Sequence, residues 1–209
     1  GRWDMGGGVA RVRQDGTELE IVSHGQRNIY DVAISPLLDL FTRDNTNDGD
    51  GWDVHLSHVV PSANYGYPSQ YKSFRDEMIP EMVDYGGGSP CGSLFLDEPG
   101  FPEGVGYALY TCEWGRGPVF RHPLETHGAS FKAQQIPFVE MSRSTDMEVD
   151  GQGRLYICSW KDGGFSFNKA NPKVGYITRV TCNENKAAPF PDLAKASDAD
   201  LVKFIGSTS

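Results

Sequence analysis

Two short strand phrases recur along this chain, and their recurrence constrains the fold more than any single residue does. One phrase follows a glycine-bearing turn three times, at residues 9–12 (VARV), 119–122 (VFRH) and 177–180 (ITRV). The other begins with a leucine and an aromatic residue, and it occurs at residues 40–42 (LFT), 109–112 (LYTC) and 155–158 (LYIC). Short strands repeated at roughly 45–70 residues are typical of a β-propeller, in which each repeat forms one blade.

The repeats divide the chain into about three to four blades. Asp31 and Asp146 each open an alternating strand nine residues before a leucine phrase, so we expect them to begin the inner strands of two blades. The predicted segments are the outer part of one blade at 1–26, two blades at 27–85 and 86–142, and the start of another at 143–183. About three blades do not close a ring, so we expect a partial propeller within a larger protein.

Composition agrees with an all-β fold and excludes some partners. The chain has 25 glycines and is 38% hydrophobic, which suits many short strands joined by tight turns. The net charge of −9 argues against nucleic acid or an anionic membrane as a partner, because both require a basic surface. No apolar run approaches the ~20 residues that a membrane-spanning helix needs.

Four cysteines are present without CxxC spacing, which leaves a zinc knuckle and covalent haem attachment unsupported. They are either buried thiols or partners in a disulfide formed in an oxidising compartment. Cys91 precedes an inner strand, and Cys112 ends the antiparallel strand that follows it, so both should lie at one end of the sheet. If a disulfide forms, we expect the pair Cys91–Cys112 before any pair that includes Cys182.

The pattern changes after Cys182. Residues 183–191 are polar and contain two prolines, which is typical of a linker. Ser197 and Asp200 have the spacing of a capping box, and an apolar face follows them at residues 201–205. We therefore expect a propeller segment at 1–182, and at 183–209 a linker with the truncated start of a helical domain.

An acidic loop between the second and third strands of the first complete blade is the most unusual segment. Its carboxylate, amide and hydroxyl oxygens are the ligands that Ca²⁺ prefers. The candidate metal ligands are Asp44, Asn45, Thr46, Asn47, Asp48 and Asp50. The alternative is a solvated turn in which these side chains cap backbone amides.

Two arginines stand just before inner strands. Arg27 and its neighbour Asn28 precede one of these strands, and Arg143 occupies the same place in a later blade. Inner strands line the central channel of a propeller, so an arginine at each mouth could hold an anionic ligand. The alternative is that both arginines pair with nearby acidic loops.

These segments together resemble a known enzyme family. The runs RNIYDVA at 27–33, LFTRDN at 40–45 and ANYGYP at 63–68 are similar to the RNP-x-G-[LF]-A, LFVTDNG and GANYGWP phrases of the soluble quinoprotein glucose and sorbosone dehydrogenases. The resemblance covers about residues 1–182. It is closest to large propeller proteins of planctomycetes, in which HEAT-type helical repeats and a haem-binding cytochrome c domain follow the propeller.

The resemblance implies a six-bladed propeller that holds pyrroloquinoline quinone (PQQ) and Ca²⁺, in an exported protein of the periplasm or cell surface. It assigns Arg27, Asn28 and Arg143 to the cofactor, and Asn45 to Asn47 to the surroundings of Ca²⁺. It also implies oxidation of a sugar or polyol hydroxyl, with electrons passed to a cytochrome.

The chain departs from the family pattern at three points. Thr145 stands where the family has a second cofactor arginine, and Gly115 stands where it has a lysine. The family's catalytic His belongs to an earlier blade, upstream of the repeats present here. The alternative function is therefore a non-catalytic propeller that binds carbohydrate or protein at its rim.

Overall fold

The computed structural model describes residues 6–46, 53–161, 175–183 and 191–206, and all structural statements refer to these residues. Strands predominate, as the repeats predict. The strands are β1 Ala10–Arg11, β2 Glu20–Ile21, β3 Ser23–His24, β4 Val32–Ile34, β5 Leu40–Asn45, β6 Asp53–Val59, β7 Ala63–Asn64, β8 Val83–Gly87, β9 Pro90–Asp97, β10 Tyr107–Glu113, β11 Val119–His122, β12 Leu124–His127, β13 Ser130–Ala133, β14 Ile136–Val139, β15 Ser144–Val149, β16 Leu155–Ser159 and β17 Tyr176–Val180. Two short 3₁₀ turns, Arg75–Glu77 and Leu193–Lys195, and the helix α1 Asp198–Ile205 complete the described elements.

Three antiparallel sheets correspond to the segments predicted as blades at 27–85, 86–142 and 143–183. The first sheet has the order β4-β5-β6-β8, the second β9-β10-β11-β14 and the third β15-β16-β17. Each therefore begins with an inner strand and proceeds outward in chain order, which is the arrangement of a propeller blade. The inner strands β4 and β15 both contact β9, so the second sheet lies between the other two.

Alternation along β5 explains how the first sheet packs. Phe41 lies in an apolar cluster with Leu109 of the second sheet, whereas Leu40 packs on the opposite face against the N-terminal segment. Thr42 also faces the N-terminal segment, where its hydroxyl accepts a hydrogen bond from the Gln26 side chain at 2.6 Å. The period of two thus buries both faces of the strand against different neighbours.

The N-terminal segment, predicted as the outer part of one blade, contains a hairpin. β1 and β2 form an isolated two-stranded hairpin, and β3 pairs in parallel with β7. Val9 and Val22 instead cover part of the first sheet. The assignment of this hairpin to the outer part of a blade stays a prediction, because a hairpin specifies local pairing but not the sheet to which it belongs.

The outer strands also differ from expectation. The fourth strand of the first sheet is β8, which the repeat pattern did not reveal. The pattern of residues 86–142 predicts a strand at Phe131 in the second blade, but the fourth strand of that sheet is β14, and Phe131 lies in the separate β12–β13 hairpin. That hairpin reaches back to the first sheet, where the Phe131 ring lies 5.6 Å from Phe41 and 5.2 Å from His58.

Adjacent inner strands touch at their starts. The Asp31 carboxylate accepts a hydrogen bond from the backbone N–H of Ser93 at 2.9 Å, which joins the first sheet to the second. Gly92 lies against Asp146, so close that a Cβ atom at Gly92 would stand 2.7 Å from the Asp146 Cα. The two aspartates that the repeats single out therefore mark the junctions between sheets.

All four cysteines are free thiols, so Cys91 and Cys112, the pair preferred if a disulfide formed, are not bonded. Cys112 is fully buried, and Cys91 and Cys182 pack against the same apolar cluster. Burial raises the pKa of Cys91 to about 11 and also raises that of Cys112, because the thiolate loses its hydration. The structure thus has free thiols, of which Cys112 is buried and the other three are partly buried.

The C-terminal helix begins as the capping pattern predicts. Ser197 is the N-cap, and its side chain accepts a hydrogen bond from the backbone N–H of Asp200. The assignment of 183–209 to a linker and a helical domain stays a prediction. Among the residues that the structure describes, no helix is long and apolar enough to span a membrane.

Candidate functional site

The second strand of each sheet ends beside the loop that enters its inner strand, and these three corners form one edge of the structure. We call this edge the corner rim, and it comprises residues 27–28, 44–46, 88–89, 113–116, 142–144 and 159–160. The antiparallel registers of β4 with β5, β9 with β10 and β15 with β16 place these ends side by side. Because the inner strands of neighbouring sheets are in contact, the three corners follow one another along this edge.

Arg27 and Asn28 meet the end of β5 in the first corner. The Arg27 guanidinium donates to the Asn45 carbonyl at 3.2 Å and to Asn45 Oδ1 at 3.1 Å. Asn28 Nδ2 donates to the same Oδ1 at 2.9 Å, and Asp44 Oδ2 accepts from the Arg27 backbone N–H at 3.1 Å. The structure therefore brings together four of the residues that the sequence nominated.

The first corner is joined to the second through a backbone carbonyl. Asn45 Nδ2 donates to Gly88 O at 3.1 Å. The next residue, Ser89, donates its backbone N–H to Glu113 Oε1 at 2.5 Å and accepts a hydrogen bond at 2.9 Å from the backbone N–H of Trp114. Contacts are thus continuous from Arg27 to Trp114.

Arg143 completes this path at the third corner. Its guanidinium carbon lies 4.1 Å from the centroid of the Trp114 ring, and its carbonyl accepts from the Trp160 backbone N–H at 2.9 Å. Arg143 adopts φ +46°, a left-handed backbone conformation that is uncommon for a residue other than glycine. Its guanidinium makes no hydrogen bond or ion pair with any other residue in the described part of the chain. Stacking on the Trp114 ring holds the Arg143 guanidinium in place, and its N–H groups stay available to donate hydrogen bonds.

A shared position in the three repeats holds the corners, and the sequence analysis missed it. The strand registers align Asp44, Glu113 and Ser159, each the last or next-to-last residue of the second strand in its sheet. Each side chain bonds the backbone of the loop before the inner strand, with Ser159 donating to Ser142 O at 2.5 Å. The signal is visible when each leucine phrase is extended to six residues (LFTRDN, LYTCEW and LYICSW), because a polar side chain stands fifth in each.

Arg43 is a second residue that the sequence analysis missed. It lies on β5, is fully buried, and reaches from the first sheet into the second. Its guanidinium donates to the Thr111 hydroxyl and to the Gln135 side chain, each at 2.9 Å, and forms an ion pair with Glu113 at 3.1 Å. This ion pair is not a hydrogen bond, because Glu113 Oε2 has no hydrogen-bond partner in the described structure. Arg43 Nε also lacks a hydrogen-bond partner there. Burial lowers the pKa of Arg43, and the Glu113 carboxylate opposes this effect.

The acidic loop is described in part. Asn47, Asp48 and Asp50 lie outside the described residues. Both lone pairs of Asn45 Oδ1 are engaged by Arg27 and Asn28, so this oxygen does not fit a metal ligand in this arrangement. Thr46 does fit, because its hydroxyl is buried without a hydrogen-bond partner in the described structure and it lines a narrow cleft with Asp44. Within the described ranges no three His, Cys, Asp or Glu side chains cluster as a metal site.

The departures from the family pattern have local structural reasons. A Cβ atom at Gly115 would lie 3.1 Å from both Glu113 Oε1 and Ser89 N, so glycine suits the tight approach of this corner. The Thr145 hydroxyl donates to Cys158 O at 3.3 Å and thus serves the third sheet. Arg116 donates to Tyr85 O at 3.1 Å on an exposed part of the second corner.

Comparisons with known proteins identify the fold. No family model and no curated protein matches the sequence. Among solved structures, a protein of Thermus thermophilus named as an oxidoreductase (glucose dehydrogenase) is 20% identical, with a TM-score of 0.60 over 77% of this chain and 47% of its own. The PQQ-bound aldose sugar dehydrogenase of Streptomyces coelicolor is 17% identical, with a TM-score of 0.60 over 81% of this chain and 50% of its own. A third structure, a glucose dehydrogenase, is 18% identical, with a TM-score of 0.55 over 81% of this chain and 48% of its own.

The all-β fold expected from the repeats is therefore confirmed, and its propeller-like arrangement is similar in fold to these glucose and aldose sugar dehydrogenases. The chain spans about half the length of these solved structures. Closure with six blades stays a prediction, as does the likeness to the planctomycete proteins.

Proposed function

We propose that this chain is part of a quinoprotein dehydrogenase-like propeller that oxidises a sugar or polyol hydroxyl, with the corner rim as its cofactor side. The observation that carries the proposal is Arg143, whose guanidinium is stacked on Trp114 with its hydrogen-bond donors unused in the described structure. An anionic group is the partner that such a guanidinium binds best. The fold shared with a PQQ-bound sugar dehydrogenase indicates which class of anion to test.

The residues of the corner rim could supply some of the contacts that PQQ and Ca²⁺ need. Arg143 would hold a carboxylate of the quinone, and Arg27 with Asn28 would stand along the same rim. The Thr46 hydroxyl would supply one oxygen to Ca²⁺. When bound, the quinone supplies the electron acceptor for hydride removal from the substrate carbon.

Arg27 has a structural part in addition to the cofactor contact that the family resemblance gives it. Its guanidinium donates to Asn45, which in turn donates to Gly88. Arg27 therefore braces the first corner against the second, and Arg143 is the arginine poised for a ligand. Electron transfer to a cytochrome and export to the periplasm or cell surface belong to the same proposal, supported by the family resemblance.

A second candidate function is a non-catalytic propeller that binds carbohydrate or protein at its rim. The positions of Gly115 and Thr145 favour it, because both replace cationic side chains that a tricarboxylate would need. The tight corner around Gly115 leaves no room for a longer side chain without a shift of Glu113 or Ser89.

The deciding experiment uses the full-length protein with PQQ and Ca²⁺. We expect PQQ binding by isothermal titration calorimetry and dye reduction with aldoses. Replacing Arg143 by Ala should weaken PQQ binding about tenfold or more, since a charge-assisted hydrogen bond contributes about 1.5–3 kcal/mol. The matched control is Arg179→Ala, on the exposed outer strand β17 of the same sheet. Absence of binding and turnover in the wild type would remove the quinoprotein proposal and leave the binding-module alternative.

A further inference from the structure

We propose that Arg43 is a positioning residue for the Trp114–Arg143 stack, acting through Glu113. The proposal rests on the proposed function in that an anionic ligand gives the stack its purpose. Arg43 itself does not reach the rim surface, because its side chain is completely buried between two sheets. Its influence on the rim must therefore pass through the groups that it contacts.

The contacts of Arg43 join the first sheet to the second. The residue belongs to β5, and its hydrogen-bond partners Thr111, Cys112 O and Gln135 all belong to the next blade. The guanidinium also lies 5.8 Å from the centroid of the Tyr85 ring and 5.5 Å from that of Phe120. The cation is thus held on several sides, which fixes its position relative to the Glu113 carboxylate.

Glu113 connects this buried cation to the rim in three ways. Its Oε1 accepts hydrogen bonds from the backbone N–H groups of Ser89 at 2.5 Å and Gly115 at 3.0 Å. Its own backbone N–H donates to the hydroxyl of Ser144 at 2.9 Å, and Ser144 follows Arg143. The two backbone segments that carry the aromatic ring and the cation of the stack therefore meet at this one residue.

Removing the Arg43 cation would leave the Glu113 carboxylate buried without its counter-charge. An uncompensated buried charge is strongly unfavourable, so Glu113 would take up a proton or move toward water. Movement would release Ser89 and Gly115 together, and Trp114 lies between Gly115 and Glu113. The stack would then lose its fixed geometry although neither of its members had been changed.

The test follows Trp114 directly in the full-length protein labelled with 5-fluorotryptophan. Each tryptophan gives its own ¹⁹F resonance, and the resonance that disappears in Trp114→Phe is that of Trp114. Arg143→Ala defines the resonance position of an unstacked ring. We expect Arg43→Met to move the Trp114 resonance toward that position. Arg154→Met, which breaks the Arg154–Asp150 ion pair of the third sheet, should leave it in place.

Rescue separates positioning from general loss of stability. In Arg43→Met/Glu113→Gln no buried charge remains, and the Gln oxygen still accepts from Ser89 and Gly115. We expect the resonance to return to the wild-type position in this double variant. If Arg43→Met does not fold, Arg43→Met/Glu113→Gln is compared with Arg43→Met/Glu113→Ala, and the stack should persist in the first and be lost in the second. Equal resonance positions in that comparison would overturn the proposal.

Addition of PQQ separates this inference from the proposed function. We expect Arg43→Met to bind PQQ about tenfold more weakly than the wild type, because a displaced Arg143 would form a poorer charge-assisted hydrogen bond with a carboxylate. If the wild type does not bind PQQ but the resonances behave as stated, the proposed function fails and the positioning role stands. If Arg43→Met binds PQQ like the wild type with the Trp114 resonance unmoved, the positioning role fails and the proposed function stands.

Discussion

Thr111 on β10 and His122 on β11 lie side by side in the buried interface between the first two sheets, with 2.8 Å between Thr111 Oγ1 and His122 Nε2. The other ring nitrogen of His122 lies 3.0 Å from the carbonyl of Gln134, which can only accept a hydrogen bond. His122 therefore carries its proton on Nδ1 and accepts the Thr111 hydroxyl proton at Nε2. The imidazole is neutral, and burial together with the nearby Arg43 cation lowers its pKa to about 3.

This neutral histidine makes the protein less stable as the pH falls. In the unfolded chain His122 is protonated below its ordinary pKa of about 6.5, whereas in the folded chain it stays neutral down to about pH 3. Stability from this group is complete above pH 6.5 and declines as the pH falls through that window. Between pH 6.5 and 5 the free energy of unfolding should fall by about 2 kcal/mol, at about 1.4 kcal/mol per pH unit. Urea unfolding midpoints at the two pH values measure it.

His122→Gln is the matching variant, because an amide forms hydrogen bonds with the same partners without titrating. We expect its stability to change less between pH 6.5 and 5 than that of the wild type. An identical pH dependence in both proteins would show that His122 does not titrate as its burial requires.

Gly92 should be intolerant of even one added methyl group. A Cβ atom there would stand 2.7 Å from the Asp146 Cα, at the junction of the second and third sheets. Gly92→Ala should therefore destabilise the protein by about 1–3 kcal/mol through overpacking. Thermal unfolding followed by circular dichroism provides the measurement. Gly87→Ala is the control, because no atom lies within 4 Å of its added Cβ, and a loss as large as that of Gly92→Ala would contradict this account.

Phe131 should stabilise the contact between the second blade's hairpin and the first sheet. Its ring packs edge-on against Phe41 and His58. Phe131→Ala is expected to cost about 1–3 kcal/mol, since each aromatic pair adds about 0.5–1.5 kcal/mol to the area buried. Chemical denaturation compares it with Phe74→Ala, in which the native ring is 54% exposed. Similar losses for both variants would mean that the hairpin contact contributes no special stability.

Thr46→Val should have opposite effects with and without Ca²⁺. The Thr46 hydroxyl is buried without a hydrogen-bond partner in the described structure, which costs about 1–3 kcal/mol, so the variant should be more stable in chelator. Added Ca²⁺ should raise the melting temperature of the wild type and have less effect on Thr46→Val. A variant less stable than the wild type in chelator would show that the hydroxyl has a partner, and an equal response to Ca²⁺ would exclude it as a ligand.

The sequence predicted the parts of the fold that repeat. Inner strands, the leucine-phrase strands and the cap at Ser197 follow from local pattern and turn chemistry, and the structure places them as expected. The outer strand β8 and the β12–β13 hairpin were missed because sheet membership depends on long-range pairing that local propensity does not encode. Arg43 was missed for a related reason, since nothing in a strand sequence shows that its cation faces a carboxylate of the next blade.

The rim shows the same division. The sequence by itself nominated Arg27, Asn28 and Arg143 through their place before inner strands, and it determined the all-β class through the spacing of its repeats. The tertiary structure alone decided that Arg27 braces Asn45 while Arg143 lies on Trp114 with its donors unused by the described residues. The reason is that a side chain's role depends on which groups surround it, and here those groups lie 18 residues from Arg27 and 29 residues from Arg143 along the chain.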